Sequence, residues 1–244
     1  MKKMAIGFTV VFLLTGAGAF AYHKKIETEK EIAAKEREAG FTLWKKFEAC
    51  KSRLKHTSYF VFNNCHEDLS SAFEAKNENA IALVAMLSIE DNLFQYMKKY
   101  KVTLPIEEAI AYAEKSAENG VRIQGCAGSL SAYYSKLTEA RKFNKINNNE
   151  DFKDALYNGA KWAYITNSLT LEKYQKLTYP EIARYFLMNG EKRFNLGPQD
   201  LETARNGVES GRKWIQKHVP SAIKENSEGM VFIVPGEYDN YLEN

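Results

Sequence analysis

The chain has 244 residues, of which 45% are hydrophobic and 13% aromatic, and it contains five prolines. This composition is typical of a folded core, as one large domain or an array of small helical units, and it excludes a long disordered chain. With 34 basic and 31 acidic residues the net charge is +3, and no polybasic segment is present, so nucleic acid is excluded as an expected partner.

Residues 1–21 have the pattern of an export signal. Lys2 and Lys3 form a charged start, an apolar stretch follows, and residues 19–21 give an A-x-A cleavage site. The alternative is an uncleaved anchor, because the apolar stretch is nearly long enough to span a bilayer. We expect a bacterial protein that is periplasmic or secreted or, with an uncleaved anchor, attached to the inner membrane and facing the periplasm.

A charged helical spacer is predicted at 22–40, where strong helix formers include the i,i+4 pair Glu31 and Lys35. The pattern then changes, because apolar residues recur at 4-3-4 spacing and predict a helix with one buried face: Leu43, Phe47, Cys50 and Leu54. This change marks the start of a helical domain, which we place at 41–220.

Three cysteines are present, and export would expose them to an oxidising compartment. A Cys50–Cys65 disulfide would stabilise the fold by about 3 kcal/mol through chain entropy and would leave Cys126 as a buried free thiol. A Cys65–Cys126 pair and three reduced cysteines are the alternatives. The preceding stretch 59–64 is briefly strand-like, and we interpret it as a loop or helix continuation tethered by Cys65.

Amphipathic helices are predicted in pairs through the rest of the domain. Pro105 and Pro198 suit the first turn of a helix, and Gly120 suits a left-handed helix end. The helix before Gly120 has a mostly alanine face, so a neighbouring helix can approach it closely. The second helices of successive pairs start near 105, 150 and 198, which is close to the repeat lengths of helical arrays. The predicted ranges are 79–94, 105–119, 121–143, 150–168, 180–194 and 198–218.

After the domain, a C-terminal tail is predicted at 221–244. Its stretch 230–234 is β-prone and is stopped by Pro235. We expect an extended segment packed on the last helix pair, with an edge strand that pairs with a partner as the alternative.

Several of these segments resemble Sel1-like repeats, which are relatives of the tetratricopeptide repeat. Residues 107–120 resemble the second helix of that repeat, 123–137 resemble its first helix, and 151–164 resemble the second helix again. The linker 138–149 departs from the family because it is longer and rich in asparagine. The resemblance implies an all-α fold in which antiparallel helix pairs stack in a solenoid-like array.

No catalytic motif is present, since the sequence has no HExxH, GxSxG, phosphate-binding loop or dinucleotide fingerprint. We expect no enzyme activity, no metal site and no cofactor, and we expect the four histidines to lie on the surface: His23, His56, His66 and His218. The best carboxylate pair is Glu90 with Asp91, which we interpret as charges at a helix end. A buried Glu90 would instead favour an enzyme that acts on the cell wall.

Aromatic residues are the candidates for a binding surface. Adjacent helix residues point about 100° apart, so each aromatic pair is predicted to split between core and surface. The outward-facing members could line a concave surface, and the candidates are Tyr133, Tyr134, Trp162, Tyr164 and Tyr185. The sequence thus predicts an exported adaptor that binds a peptide or another envelope protein. A periplasmic inhibitor or immunity protein is the alternative within the binding class.

Overall fold

The protein, described by a computed structural model, is all-α, as the sequence predicts. The structure describes residues 2–54, 58–93, 100–140, 149–169, 197–219, 223–225 and 231–233, and it describes no side chains before residue 24 or after residue 219. The helices in this part of the chain are α1 (Lys2–Arg53), α2 (Ser58–Asn64), α3 (His66–Glu74), α4 (Glu78–Leu93), α5 (Ile106–Glu118), α6 (Ile123–Ala140), α7 (Asn149–Ser168) and α8 (Pro198–His218).

The tail contains a short antiparallel ribbon, in which β1 (Ile223–Glu225) pairs with β2 (Val231–Ile233). Residues 231–233 of the β-prone stretch therefore form a strand that pairs within the chain, and β2 also lies beside α7. The predicted helix 180–194 and Tyr185 lie outside the described residues.

Local signals place the helix ends close to the predicted positions. Gly120 has φ +82°, and the N–H of Val121 donates to the carbonyl of Ser116 at 2.9 Å, so α5 closes through a left-handed glycine. Pro198 is the first residue of α8, and the carboxylate of Asp200 accepts the N–H of Gly197 at 3.2 Å.

The predicted spacer and the first buried helix are one continuous element. α1 runs through both, and its residues 24–39 are exposed or half-buried, whereas Trp44 and Phe47 are buried. The change of pattern predicted near residue 43 is therefore a change in what the helix contacts rather than a break in it. The stretch 59–64, for which the sequence predicts a loop or a helix continuation, is helical and lies within α2.

The core consists of two hydrophobic clusters. The N-terminal cluster joins α1, α3, one face of α4 and the following loop: Trp44, Phe47, Cys65, Leu69, Ala72, Ala80, Leu83, Val84, Leu87 and Tyr100. The C-terminal cluster joins the other face of α4 to α5, α6, α7 and α8, and its bulkiest members are Ile89, Ile123, Leu130, Phe152, Leu156, Trp162, Tyr164, Ile165, Trp214 and Ile215.

α4 is apolar around most of its circumference because it lies between the two clusters. Leu83, Val84 and Leu87 face the N-terminal cluster, while Ala85 and Ile89 face the C-terminal cluster. An apolar stripe on one side only would suit a helix at the surface. The residues of α4 thus match its central place in the fold.

Close approach of α7 and α8 depends on two glycines of α8. A Cβ atom at Gly207 would lie 2.3 Å from the carbonyl oxygen of Tyr157, and one at Gly211 would lie 2.7 Å from that of Lys161. Any larger residue at either position would push the helices apart. These glycines therefore set the distance between α7 and α8. The buried alanines of α5 allow a similarly close approach of its neighbouring helices.

From α4 to α8, each helix contacts the next one along the chain. α4 contacts α5 and α6, α6 contacts α7, and α7 contacts α8. The end of α8 also reaches the end of α5, where Nδ1 of His218 lies 3.2 Å from the carbonyl oxygen of Glu118.

Among the helical segments whose side chains the structure describes, none is long and apolar enough to cross a membrane. The side chains of residues 1–23 are not among those described. The assignment of 1–21 as a signal or anchor stays a prediction.

Candidate binding site

A groove of about 780 Å³ runs between α1 and the turn that joins α3 to α4. A Cβ atom at Gly40 would lie 2.9 Å from the carbonyl oxygen of Ala75, so α1 meets the turn closely at this point. The groove opens beside that contact. Its lining comes from one stripe of α1 and from the whole turn: Ala33, Glu36, Arg37, Ala39, Gly40 and Phe41, with residues 74–79 opposite.

The turn between α3 and α4 holds an unusual backbone conformation. Lys76 has φ +57°, in the left-handed region that disfavours non-glycine residues by about 1 kcal/mol. Its N–H donates to the carbonyl of Phe73 at 2.9 Å, and the N–H of Asn77 donates to that of Ala72 at 3.0 Å. These bonds close α3 in the manner that usually selects glycine. The side-chain oxygen of Asn77 then caps α4 by accepting the N–H of Ala80 at 3.1 Å.

A smaller cavity of about 190 Å³, which we call the notch, lies between the same turn and α5. Lys76 and Glu78 line both the groove and the notch, so the two cavities adjoin across the turn. The notch is lined by Lys76, Glu78, Ile81, Tyr112, Lys115, Ser116, Asn119 and Val121.

Exposed aromatic rings line the two cavities. Among the described residues the exposed large hydrophobic side chains are Ile32, Phe41 and Tyr112. Phe41, 56% exposed, lines the groove, and Tyr112, 36% exposed, lines the notch. An exposed ring beside a concavity is a common feature of surfaces that bind other proteins.

Several polar groups of these cavities have no partner within the described part of the chain. Neither Arg37 nor Lys76 nor Lys115 makes an ion pair there. Oδ1 of Asn79, which lines the groove, is buried without a hydrogen bond. The lining of the two cavities therefore offers cations to a ligand, whereas the amide oxygen of Asn79 is buried beneath the surface of the groove.

The disulfide prediction is confirmed. Cys50 near the end of α1 bonds to Cys65, which lies between α2 and α3, with Cα atoms 5.9 Å apart. Cys126 is a buried free thiol, and burial raises its pKa to about 12, against the opposing effect of nearby Arg122. Such a thiol is protonated and unreactive near neutral pH.

The predicted aromatic surface residues lie mostly in the C-terminal cluster. Trp162 and Tyr164 are each 1% exposed and Tyr134 is 8% exposed, while Tyr133 is half-buried. Tyr133 packs against the same cluster, and its ring contacts that of Tyr134 with centroids 5.5 Å apart, so neither tyrosine is an exposed surface residue. The expected split of Trp162 and Tyr164 is wrong, because α7 is covered by α6 on one side and by α8 on another.

Several polar and charged side chains surround Glu114 where α5, α6 and α7 meet. Burial raises the pKa of Glu114, while Lys161 and the indole N–H of Trp162 lower it; this N–H is not aligned for a regular hydrogen bond. Asp154 and Glu118 add negative charge that also raises the pKa of Glu114. Burial is the largest of these effects on Glu114. The pKa of Tyr134 is also raised, first by burial and then by the negative charge of Glu114.

Glu90 and Asp91 hold the loop that follows α4. The hydroxyl of Tyr100 donates to Glu90 at 2.8 Å, and its N–H donates to Asp91 at 3.2 Å. The loop is also held by Ser88, whose hydroxyl oxygen accepts the N–H of Leu104 at 2.8 Å. These contacts give the pair a structural role in positioning the start of α5.

Two histidines are described, and both contact main-chain oxygens. Nδ1 of His66 lies 2.8 Å from the carbonyl oxygen of Asn63, and the ring of His218 stacks on Trp214 with centroids 4.5 Å apart. His23 and His56 lie outside the residues whose side chains are described. Within those residues, no group of three or more His, Cys, Asp or Glu side chains could hold a metal ion.

Sequence reasoning did not find the groove or the notch. Their walls come from α1, from the 74–79 turn and from α5, which are distant in sequence and carry no shared motif. The one local signal was the end of α3, where a helix closes at Lys76 instead of at glycine or asparagine. Phe41 offered little signal, since it directly precedes the buried stripe of α1.

Comparison with models of known families, with characterised proteins and with solved structures finds no match to this chain.

Proposed function

We propose that this protein is an exported bacterial adaptor that binds a peptide segment of another envelope protein in the groove and notch. The observation that carries the proposal is that the two cavities adjoin across Lys76 and Glu78, with Phe41 lining one and Tyr112 lining the other. Two adjoining cavities with exposed aromatic rings, and with cations that make no ion pair within the described residues, suit an extended chain, which presents both side chains and main-chain amides.

The Cys50–Cys65 disulfide supports export, because disulfides persist in oxidising compartments and are rare in the cytosol. A periplasmic or secreted location is therefore part of the proposal, with attachment to the inner membrane if residues 1–21 remain as an anchor. Free thiols can be alkylated in whole cells before the protein is purified. Cys50 and Cys65 should escape alkylation if the bond forms there.

Stacked helix pairs are the second part of the proposal. We assign α4 with α5 and α6 with α7 as antiparallel pairs of a Sel1-like array. Support comes from the contacts of α4 with both α5 and α6, and of α6 with α7. Arrays of this kind display extended surfaces for recognition without any catalytic group.

Site-specific photo-crosslinking in intact cells tests the binding role. A photoreactive phenylalanine analogue at position 41 should give discrete crosslinked products with one or a few envelope proteins. The matched control places the analogue at position 153, since Lys153 is exposed on α7, away from both cavities. A synthetic peptide from the crosslinked region should then bind the purified protein.

Two outcomes would contradict the proposal. One is the same product pattern from positions 41 and 153, which would indicate random collision. The other is a peptide from the crosslinked region that binds wild type and a Phe41→Ala variant equally well.

A further inference from the structure

Lys76 occupies a backbone position that glycine would fill with less strain. Among the described residues only Lys76 and Arg122 combine a side chain with a positive φ, at +57° and +47°. Arg122 packs its guanidinium over the ring of Trp44, 5.2 Å from the centroid, so its side chain joins the two clusters. Within the described residues, no comparable ring contact or ion pair accounts for the side chain of Lys76, which lines the groove and the notch.

The charge of the notch is unbalanced. Lys76 and Lys115 both line it, and neither makes an ion pair within the described residues. The single carboxylate of the lining belongs to Glu78, the first residue of α4, where the helix dipole stabilises a negative charge. Two cations and one carboxylate therefore line this small cavity, so its lining carries a net positive charge.

We infer that the notch is the subsite for an acidic side chain, Asp or Glu, of the extended peptide that the groove binds. The inference rests on the proposed function and names its specificity. Charge complementarity to Lys76 and Lys115 selects the acidic residue, while the ring of Tyr112 covers the aliphatic part of its side chain. The strained conformation of Lys76 is then the cost of placing an ammonium group between groove and notch.

Selection from a library of displayed random dodecapeptides tests this specificity. Fusion through the peptide C-terminus removes the free terminal carboxylate, so only side chains can supply an anion. Wild-type protein should enrich peptides that carry Asp or Glu at one fixed position, and their affinity should fall about tenfold when that residue becomes Asn or Gln. The double variant Lys76→Glu with Lys115→Glu should select Lys or Arg at that position instead.

A second variant separates binding from folding. Lys76→Gly should raise the denaturant midpoint of unfolding, because glycine relieves the left-handed strain. It should also weaken binding of the selected acidic peptide about fivefold, as should Lys115→Gln. Lys153→Gln, which removes a distant exposed charge, should leave both properties unchanged.

The outcomes distinguish the two levels of the proposal. Failure to enrich any peptide overturns both the binding function and this inference. Enrichment without an acidic preference, or with one that survives charge reversal, overturns the inference alone. So does unchanged peptide affinity in Lys76→Gly and Lys115→Gln.

Discussion

In the C-terminal cluster, α7 and α8 approach so closely that Gly207 and Gly211 leave no room for a Cβ atom. In the N-terminal cluster, α1 is held by the Cys50–Cys65 disulfide and by the ring of Phe47, which stacks on Phe62 of α2 with centroids 6.3 Å apart. The first arrangement fills its space with helix backbone, whereas the second leaves a groove beside Gly40. Close contact along two glycines leaves little space between α7 and α8, whereas a single close contact at Gly40 leaves space for a groove beside it.

The largest expected effect comes from removing the covalent closure. Replacing Cys50 and Cys65 by alanine should lower the free energy of unfolding by about 3 kcal/mol, because the 15-residue loop is no longer closed in the unfolded chain. Urea unfolding of the oxidised protein measures the difference. Most of it should disappear in a reducing buffer, where wild type loses the same bond. A difference that persists there would mean that the disulfide is not the main contribution.

Disturbing the close packing should have the next largest effect. Gly207→Ala should destabilise the fold by about 2 kcal/mol, since the new methyl group meets the main chain of Tyr157. The loss should be equal in oxidising and reducing buffers, because it arises in the other cluster.

The matched control for this change is Gly128→Ala on α6. Its nearest neighbour would be Cγ2 of Thr166, 3.9 Å from the new Cβ, which is ordinary contact. This variant should be as stable as wild type or gain about 0.5 kcal/mol from helix propensity. Equal stability of the two alanine variants would show that α7 and α8 are less closely packed than described.

A smaller effect is expected where the N-terminal cluster meets the loop after α4. Tyr100→Phe keeps the ring but removes the hydroxyl that donates to Glu90, and it should cost about 1 kcal/mol. Tyr112→Phe, at an exposed ring, should stay within about 0.5 kcal/mol of wild type. An equal loss in both variants would remove the structural role assigned to Glu90. Loss of a wall-hydrolysing activity in Glu90→Gln at unchanged stability would favour the enzyme alternative.

The smallest effect is a pH dependence in the C-terminal cluster. Since burial raises the pKa of Glu114 above its ordinary value of 4.5, the folded state disfavours the ionised form. Its contribution to stability is therefore fully present below pH 4.5 and is lost as the pH rises through the raised pKa. Glu114→Gln should be slightly more stable than wild type at pH 7 and indistinguishable from it at pH 4. The opposite trend would mean that attraction to Lys161 outweighs burial.

The sequence predicted the helices because their end signals are local. Pro105, Gly120 and Pro198 act within one turn of their own positions, and two cysteines 15 residues apart are close enough in sequence for a disulfide to close a short loop. The all-α class and the Cys50–Cys65 bond are accordingly confirmed. The stacking of the helix pairs stays a proposal.

The candidate site could not be predicted in the same way, because it depends on which helices cover one another. Trp162 and Tyr164 point in different directions from α7, yet both are buried, since α7 has neighbours on more than one side. Lys76 and Lys115 read as ordinary helix-end cations until the fold places them on the same cavity. Periodicity tells which face of a helix is apolar but not which empty space remains after packing.

The position of α4 has a consequence for how the molecule melts. Unfolding either cluster alone would expose one apolar face of α4 to water while the other stayed covered, which is an unfavourable intermediate state. One helix therefore makes the two clusters a single cooperative unit, and calorimetry should record one transition in which the calorimetric and van't Hoff enthalpies agree.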